Sequence, residues 1–484
     1  MKRLSTGLAD LDLILGGGLE PGSVVVLAGP PGTGKTILAQ QICFTNATAE
    51  HKAVFYTTLS EPHSRLVEHL RGFAFFDSAA VGPKVEFVHL GDLLHEDLGP
   101  LIDEVVAKAF DEQPVVVVID STKMLQDIVS GHALRTALYK LTSRVAHSRT
   151  VLLLLGEYTP EELQAKVEFS LADGIIQLSY QPRGPVDWRG LRVVKMRGTA
   201  HLGGTHTVHI TGDGFRVYPR VESFVRDDTA PGDGRIRSGI IGLDALTGGG
   251  IPRGDATLML GPSGAGKSIS CLNFLAEGLA QGERCLYITF QGTADQLTAM
   301  AGTFGWDFAA ARASDQLLIS HVPMGSLDLD VLAAVIRHRL ADGTTTRVVI
   351  DSLAEMAYAA READRFPAYL RSLAGTVCSA GASLWVTGET TTFGPMADPL
   401  VGLMFLFHNV VQIRYIEHCS ETGRALSVLK MRGSRHDNGM YACDITGSGV
   451  TVGDRLQQLT GLLGWSALRN CPHTPGHDDT PTAI

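Results

Sequence analysis

The chain has 484 residues, 44% of them hydrophobic and 19% charged, which is enough apolar material for several cores and too little charge for a largely disordered chain. Its formal net charge is −10, from 41 Lys and Arg against 51 Asp and Glu, which argues against a protein that coats nucleic acid with a basic face. The seven cysteines (Cys43, Cys271, Cys285, Cys378, Cys419, Cys443, Cys471) form no C-x-x-C pair and no zinc spacing, no apolar run follows Lys2 and Arg3, and the longest apolar stretches are strand-sized, so a reduced, soluble, cytoplasmic protein off the membrane is expected.

In chain order, the sequence opens on Thr6-Gly7-Leu8-Ala9-Asp10-Leu11-Asp12, and Gly16-Gly17-Gly18-Leu19-Glu20-Pro21-Gly22 follows. The first predicted strand, residues 24–28, runs into Gly29-Pro30-Pro31-Gly32-Thr33-Gly34-Lys35-Thr36, which matches the P-loop pattern G-x-x-x-x-G-K-[ST]. The glycines let backbone N–H groups turn inward around phosphate oxygens, and the helix opening behind the loop directs its positive end at the anion. Gly29, Gly32, Thr33, Gly34, Lys35 and Thr36 are therefore read as an ATP site. Lys35 would reach the β- and γ-phosphates, and Thr36 would ligate magnesium. A second strand is predicted at 54–57, ahead of Thr58-Leu59-Ser60-Glu61-Pro62. A third, at 115–119, ends in Asp120, an acid placed to hold magnesium directly or through water. A fourth, at 151–155, stops just before Glu157. Strands this uniformly apolar, alternating with helical stretches, predict a parallel sheet covered on both faces.

The same series then returns. Ser238-Gly239-Ile240-Ile241-Gly242-Leu243-Asp244 repeats the opening and Gly248-Gly249-Gly250 the triple glycine, each at an offset of 232. A second P-loop, Gly261-Pro262-Ser263-Gly264-Ala265-Gly266-Lys267-Ser268, keeps that offset. Gly261, Gly264, Ala265, Gly266, Lys267 and Ser268 are read as a second ATP site, with Ser268 and Asp351 as its metal ligands. Asp120 pairs with Asp351 and Lys195 with Lys430 at nearly the same spacing, so the chain is a tandem duplication. The expected layout is a first domain over 1–223, a linker over 224–236, a second domain over 237–453 and a C-terminal part over 454–484. Asp227 to Gly234 cannot sustain regular structure. Leu456, Leu459, Leu462 and Leu463 recur at helical spacing with Trp465 behind them, which predicts a C-terminal helix, a flexible polar tail and a possible docking segment for a regulatory protein.

The duplication, the Thr/Ser-Gly-x-x-x-Leu-Asp openings and the two Lys-Met-Arg-Gly segments (Lys195 to Gly198, Lys430 to Gly433) resemble the KaiC family, RecA-like ATPases related to the bacterial circadian clock protein, over roughly residues 3–453. The resemblance implies an α/β fold of two tandem RecA-like P-loop NTPase domains, each a mainly parallel sheet flanked by helices. It also implies a homo-oligomer, a hexameric double ring with ATP at its subunit interfaces. Lys195 and Arg197, and likewise Lys430 and Arg432, would reach the γ-phosphate held by the neighbouring subunit. A cation supplied from outside offsets charge developing during phosphoryl transfer.

The family's first domain carries adjacent glutamates after the second strand, one of which activates the attacking water. Here Ser60 replaces one and Glu61 remains, which makes Glu61 the expected catalytic carboxylate. The second domain reads Thr289-Phe290-Gln291-Gly292-Thr293 at that place, and Gln291 can orient a water but cannot accept its proton. Glu157 and Glu389, at matching strand ends, are further polar groups near the γ-phosphate. The Ser and Thr that the clock protein autophosphorylates fall at Met404 and Phe405, neither of which can be phosphorylated, and Thr390, Thr391 and Thr392 are nearby hydroxyls that read as loop threonines, so the family's kinase activity is kept only as an alternative. The expectation is an ATP-hydrolysing signalling or timing ATPase, with hydrolysis mainly in the first domain. The alternatives are a RadA-like recombination or repair ATPase, a nucleotide-gated scaffold and a family-type autokinase. Lys-Met-Arg-Gly in place of Lys-Asn-Arg-Phe-Gly, the missing four-cysteine module and the net charge argue against nucleic acid as the partner.

Overall fold

A computed structural model describes residues 3–57, 68–89, 99–123, 131–159, 161–162, 167–183, 186–224, 234–360, 364–390, 401–418, 421–457, 459–460 and 468–469. The chain divides into two compact units, between Phe224 and Val225.

The first unit is built on nine strands: β1 (Val24–Ala28), β2 (Ala53–Thr57), β3 (Val85–His89), β4 (Val116–Asp120), β5 (Val151–Gly156), β6 (Gly174–Arg183), β7 (Val186–Met196), β8 (Thr205–Thr211) and β9 (Gly214–Tyr218). They lie in the order β3-β2-β4-β5-β1-β6-β7-β8-β9. The pairings from β3 through β6 are parallel, and β6 through β9 run as antiparallel neighbours. β1 is buried at every position because a helix-bearing layer covers each face of the sheet. Its Val25 and Leu27 enter one core with Leu38, Ile42 and Cys43 of the helix Lys35–Asn46, while Val24, Val26 and Ala28 enter a second core with Leu101 and Val105. Alternate side chains of one strand thus feed two cores, as a period of two requires.

The second unit repeats this plan. A short pair, β10 (Arg235–Ile236) and β11 (Ile251–Pro252), precedes β12 (Ala256–Gly261), β13 (Arg284–Thr289), β14 (Leu317–His321), β15 (Thr345–Asp351), β16 (Ser383–Glu389), β17 (Asn409–His418), β18 (Glu421–Met431), β19 (Met440–Thr446) and β20 (Gly449–Arg455). Their order, β14-β13-β15-β16-β12-β17-β18-β19-β20, matches the first sheet strand for strand. Each unit is the mainly parallel, helix-flanked P-loop sheet that the sequence predicts, a RecA-like domain in tandem.

The repeated opening motif is structural. Asp12 Oδ1 accepts hydrogen bonds from the N–H and hydroxyl of Thr6, and Asp244 Oδ1 accepts from the N–H of Ser238. A polar residue from the helix behind each sheet holds the far edge as well. Gln41 Oε1 accepts from the Phe215 N–H at 2.8 Å, and Asn273 Oδ1 from the Val450 N–H at 2.9 Å.

Two sequence readings change. Arg235 and Ile236, read as the end of the linker, are a strand of the second unit, because Ile251 and Pro252 supply backbone partners that no local pattern reveals. The helical spacing of leucines after 453 is not followed where the chain is described: β20 continues through Arg455, the Leu456 N–H donates to Met440 O, and Leu459–Thr460 pairs antiparallel with Leu468–Arg469. Leu462, Leu463, Trp465 and the polar tail lie outside the described residues. No helix among the described residues is long and apolar enough to cross a membrane.

Candidate functional site

Both P-loops sit at the carboxyl ends of the central strands β1 and β12, where a parallel sheet presents its crevice. Gly29 has no room for a side chain, since a Cβ there would lie 2.4 Å from Leu178 O. Gly34 begins the helix Lys35–Asn46 with φ +94°, a conformation that L side chains rarely adopt. The ammonium of Lys35 lies inside its loop, donating to Gly29 O at 2.8 Å and Pro30 O at 2.9 Å, and Lys267 does the same to Gly261 O and Pro262 O. Burial lowers the pKa of both lysines. Glu157 and Asp120 around Lys35, and Glu389 and Asp351 around Lys267, oppose that shift. Anionic oxygens entering either loop would meet a desolvated cation at the amino end of a helix.

Beside each loop, a hydroxyl meets the acid at the end of the neighbouring strand. Thr36 donates to Asp120 Oδ2 and Ser268 to Asp351 Oδ2, both at 2.7 Å. Oxygen pairs of this kind suit magnesium, a hard cation. The two acids then differ. Asp351 also accepts from the Tyr287 hydroxyl at 3.0 Å and from the Thr387 hydroxyl. The repeat places Phe55 and Leu155 at those positions in the first unit. Burial raises the pKa of Asp120, and the Thr36 hydroxyl and Lys35 counter it.

Lys195 and Arg197 are remote from the P-loop of their own unit. Ile175 of β6 pairs with Val26 on one side and with Lys195 on the other, so Lys195 lies level with Val26. Gly29 is three residues further along β1, about 10 Å at the rise of a strand, and β7 then runs away from it. Lys195 Nζ donates to Ser170 O at 2.8 Å, while Arg197 contacts Ser170 O and Asp173. Lys430 repeats the placement: Val410 of β17 pairs with both Leu258 and Lys430, and Lys430 Nζ donates to Phe407 O at 2.6 Å. A register shift precedes each lysine, at Val194 and at Leu429, and those two side chains are exposed. Bulges of this kind re-aim the residues that follow. The turn beyond Lys195 is tied down by Arg3, which donates to Gly198 O at 2.7 Å, and Arg235 binds the Ser434 hydroxyl in the second unit. Arg432, like Arg197, is exposed.

Glu61 and Ser60 lie outside the described residues, as do Thr391 and Thr392. Glu389 ends β16 opposite Gly261, and the Glu157 carbonyl accepts from Lys123 Nζ. Met404 and Phe405 lie on a 3-10 turn, Val401–Leu406, with the Phe405 side chain 63% exposed. Gln291 Nε2 donates to Glu355 Oε1, and Glu355 Oε2 accepts from the Ser352 hydroxyl.

Sequence reasoning missed Glu355 and a second repeated pair. Arg189 stacks over Tyr180 with 5.3 Å to the ring centre and donates to Gly32 O at 3.1 Å. Arg424 stacks over Tyr415, whose hydroxyl donates to Ser263 O at 3.2 Å. The signal was available, since Tyr180/Tyr415 and Arg189/Arg424 keep the 235-residue offset of Lys195/Lys430.

Comparison with known proteins gives one consistent result. The family model for the KaiC ATPase matches residues 4–222 and again 236–457. The circadian clock oscillator protein KaiC of Picosynechococcus sp. is 25% identical over 97% of this chain and 93% of its own length. KaiC 1 of Synechocystis sp. is 25% identical, and KaiC of Thermosynechococcus vestitus 26%, each over 97% of this chain and 92% of its own length.

Proposed function

The chain belongs to the KaiC family of ATPases, and on that premise we propose that it is a cytoplasmic, ring-forming signalling or timing ATPase that hydrolyses ATP mainly in its first domain and chiefly holds it in the second. The observation that carries the reading is the placement of Lys195 and Arg197. These cations stand at the end of the sheet away from their own P-loop, which supports a reading in which a neighbouring copy of the chain completes each nucleotide site.

In this reading Lys35 leaves the carbonyls of Gly29 and Pro30 to bind the β- and γ-phosphates, and the backbone N–H groups of the loop surround them. Thr36 and Asp120 would hold magnesium, which when bound draws charge from the β- and γ-phosphate oxygens. Glu61 takes up the proton of the attacking water, and the neighbour's Lys and Arg at positions 195 and 197 offset charge on the departing phosphate. The second domain keeps the phosphate and metal groups but has no carboxylate from Thr289 to Thr293, the segment after its second strand, which supports its role as a clamp stabilised by bound ATP. A regulatory protein at the C-terminal segment completes the proposal.

The test is to size the purified chain with and without Mg·ATP while recording phosphate release. ATP-dependent assembly accompanied by turnover is expected. An unchanged monomer at saturating Mg·ATP would overturn the ring. Assembly without phosphate release would favour a nucleotide-gated scaffold.

A further inference from the structure

The second site is not empty of carboxylates near Gln291. Thr289 pairs with Asp351 at the carboxyl end of the sheet, so the segment after β13 and the helix after β15 emerge side by side. Gln291 stands two residues past β13, and Glu355 is in the first turn of the helix Leu353–Ala359. A carboxylate only accepts hydrogen bonds, so Gln291 must turn its NH2 group toward Glu355 and its carbonyl oxygen away. The Ser352 hydroxyl holds the other carboxylate oxygen and keeps Glu355 from swinging out. Glu355 also adds to the negative field around the Lys267 ammonium, after Glu389 and Asp351. In the first domain the repeat puts Met124 at this position, so the arrangement belongs to the second domain alone.

We propose that Glu355 is a positioning residue that fixes the Gln291 amide with its carbonyl oxygen toward the attacking water, giving the second domain a slow ATP hydrolysis of its own. The inference rests on the ATPase reading above. An unanchored glutamine presents either end of its amide to the water, and only the oxygen can accept a hydrogen bond from it. In the step, the water oxygen bonds to the γ-phosphorus while the bond from that phosphorus to the β–γ bridging oxygen breaks. ADP leaves with the bond's electron pair. One water proton passes to a γ-phosphoryl oxygen and the other remains on the new P–OH group, so dihydrogen phosphate departs and no proton is left on Gln291.

The test uses the full chain carrying Glu61→Gln, so that the first domain still binds ATP and the chain still assembles while turnover reports the second site, with single-turnover phosphate release, binding of a fluorescent ATP analogue and thermal melting measured together. Glu355→Met should lower the hydrolysis rate about 10- to 100-fold, the usual effect of a misplaced reacting group, with nucleotide affinity and melting unchanged. Glu355→Asp should recover part of the rate. The exchanged pair Gln291→Glu with Glu355→Gln should exceed the parent, because it keeps the hydrogen bond and sets the carboxylate at 291. An unchanged rate in Glu355→Met overturns the inference. So does a fall shared by affinity and melting that the exchanged pair fails to reverse. A Glu61→Gln chain that assembles with ATP but releases no phosphate also overturns it, whereas turnover by the unaltered chain decides the ATPase reading separately.

Discussion

Removing the P-loop hydroxyl should cost the two domains unequally, although the two loops look interchangeable in sequence. Among the described residues, Thr36 is the one side-chain hydroxyl bonded to Asp120, whereas Asp351 has Ser268, Tyr287 and Thr387. Thr36→Val therefore leaves a half-buried carboxylate without its hydroxyl donor, at about 1–3 kcal/mol, while Ser268→Ala removes one of three donors, at about 0.5–1.5 kcal/mol. For a domain of this size, each kcal/mol moves the midpoint by roughly 2–4 °C. Calorimetry of the full chain without nucleotide and with a chelator should show the larger fall in Thr36→Val, and adding Tyr287→Phe and Thr387→Val to Ser268→Ala should bring the second domain down to match. The pH dependence has a definite sign. Asp120 has a folded pKa raised by burial, so its charge opposes folding increasingly as pH rises from the unfolded carboxylate value through the folded one, and losing the Thr36 donor raises that pKa further. The Thr36→Val penalty should thus fade in acid, where Asp120 is protonated in both states, and grow above that window. Equal falls in the two single variants, or a larger one in Ser268→Ala, would refute the reasoning.

Arg197→Ala should leave melting within about 0.5 kcal/mol, because its salt bridge to Asp173 is largely exposed, yet abolish ATP-driven assembly on a sizing column. Glu61→Gln should lower steady-state turnover about 10²–10⁴-fold, whereas Gln291→Ala in the otherwise native chain should change it little, as phosphate release will report. Asn273→Leu strands the Val450 N–H and the carbonyls of Gly239 and Ser448, and urea unfolding should show a loss of at least about 2 kcal/mol. Truncation after residue 457 should spare the fold, while truncation after residue 448 removes β20 and should leave the second domain unable to fold, as circular dichroism will distinguish.

The local features were legible because their chemistry is contiguous. A P-loop needs glycines, a lysine and a hydroxyl within eight consecutive residues, and the acid ending an apolar strand declares itself by position. The duplication added a second reading of each element, so the parallel sheet, the paired loops and the strand-end acids all followed from the amino-acid order. Contacts between residues far apart in the chain were decided only by the fold. Gln291 meets Glu355 across 64 residues because two parallel strands end side by side. Arg3 reaches Gly198 across 195 because the antiparallel β7 returns to the N-terminal edge. The bulges before Lys195 and Lys430 are mismatches between two strands and have no signature in either one. Arg235 and Leu459 were misassigned for the same reason: a short strand exists only when a partner completes its backbone hydrogen bonds, and helical spacing in one segment carries no information about that partner.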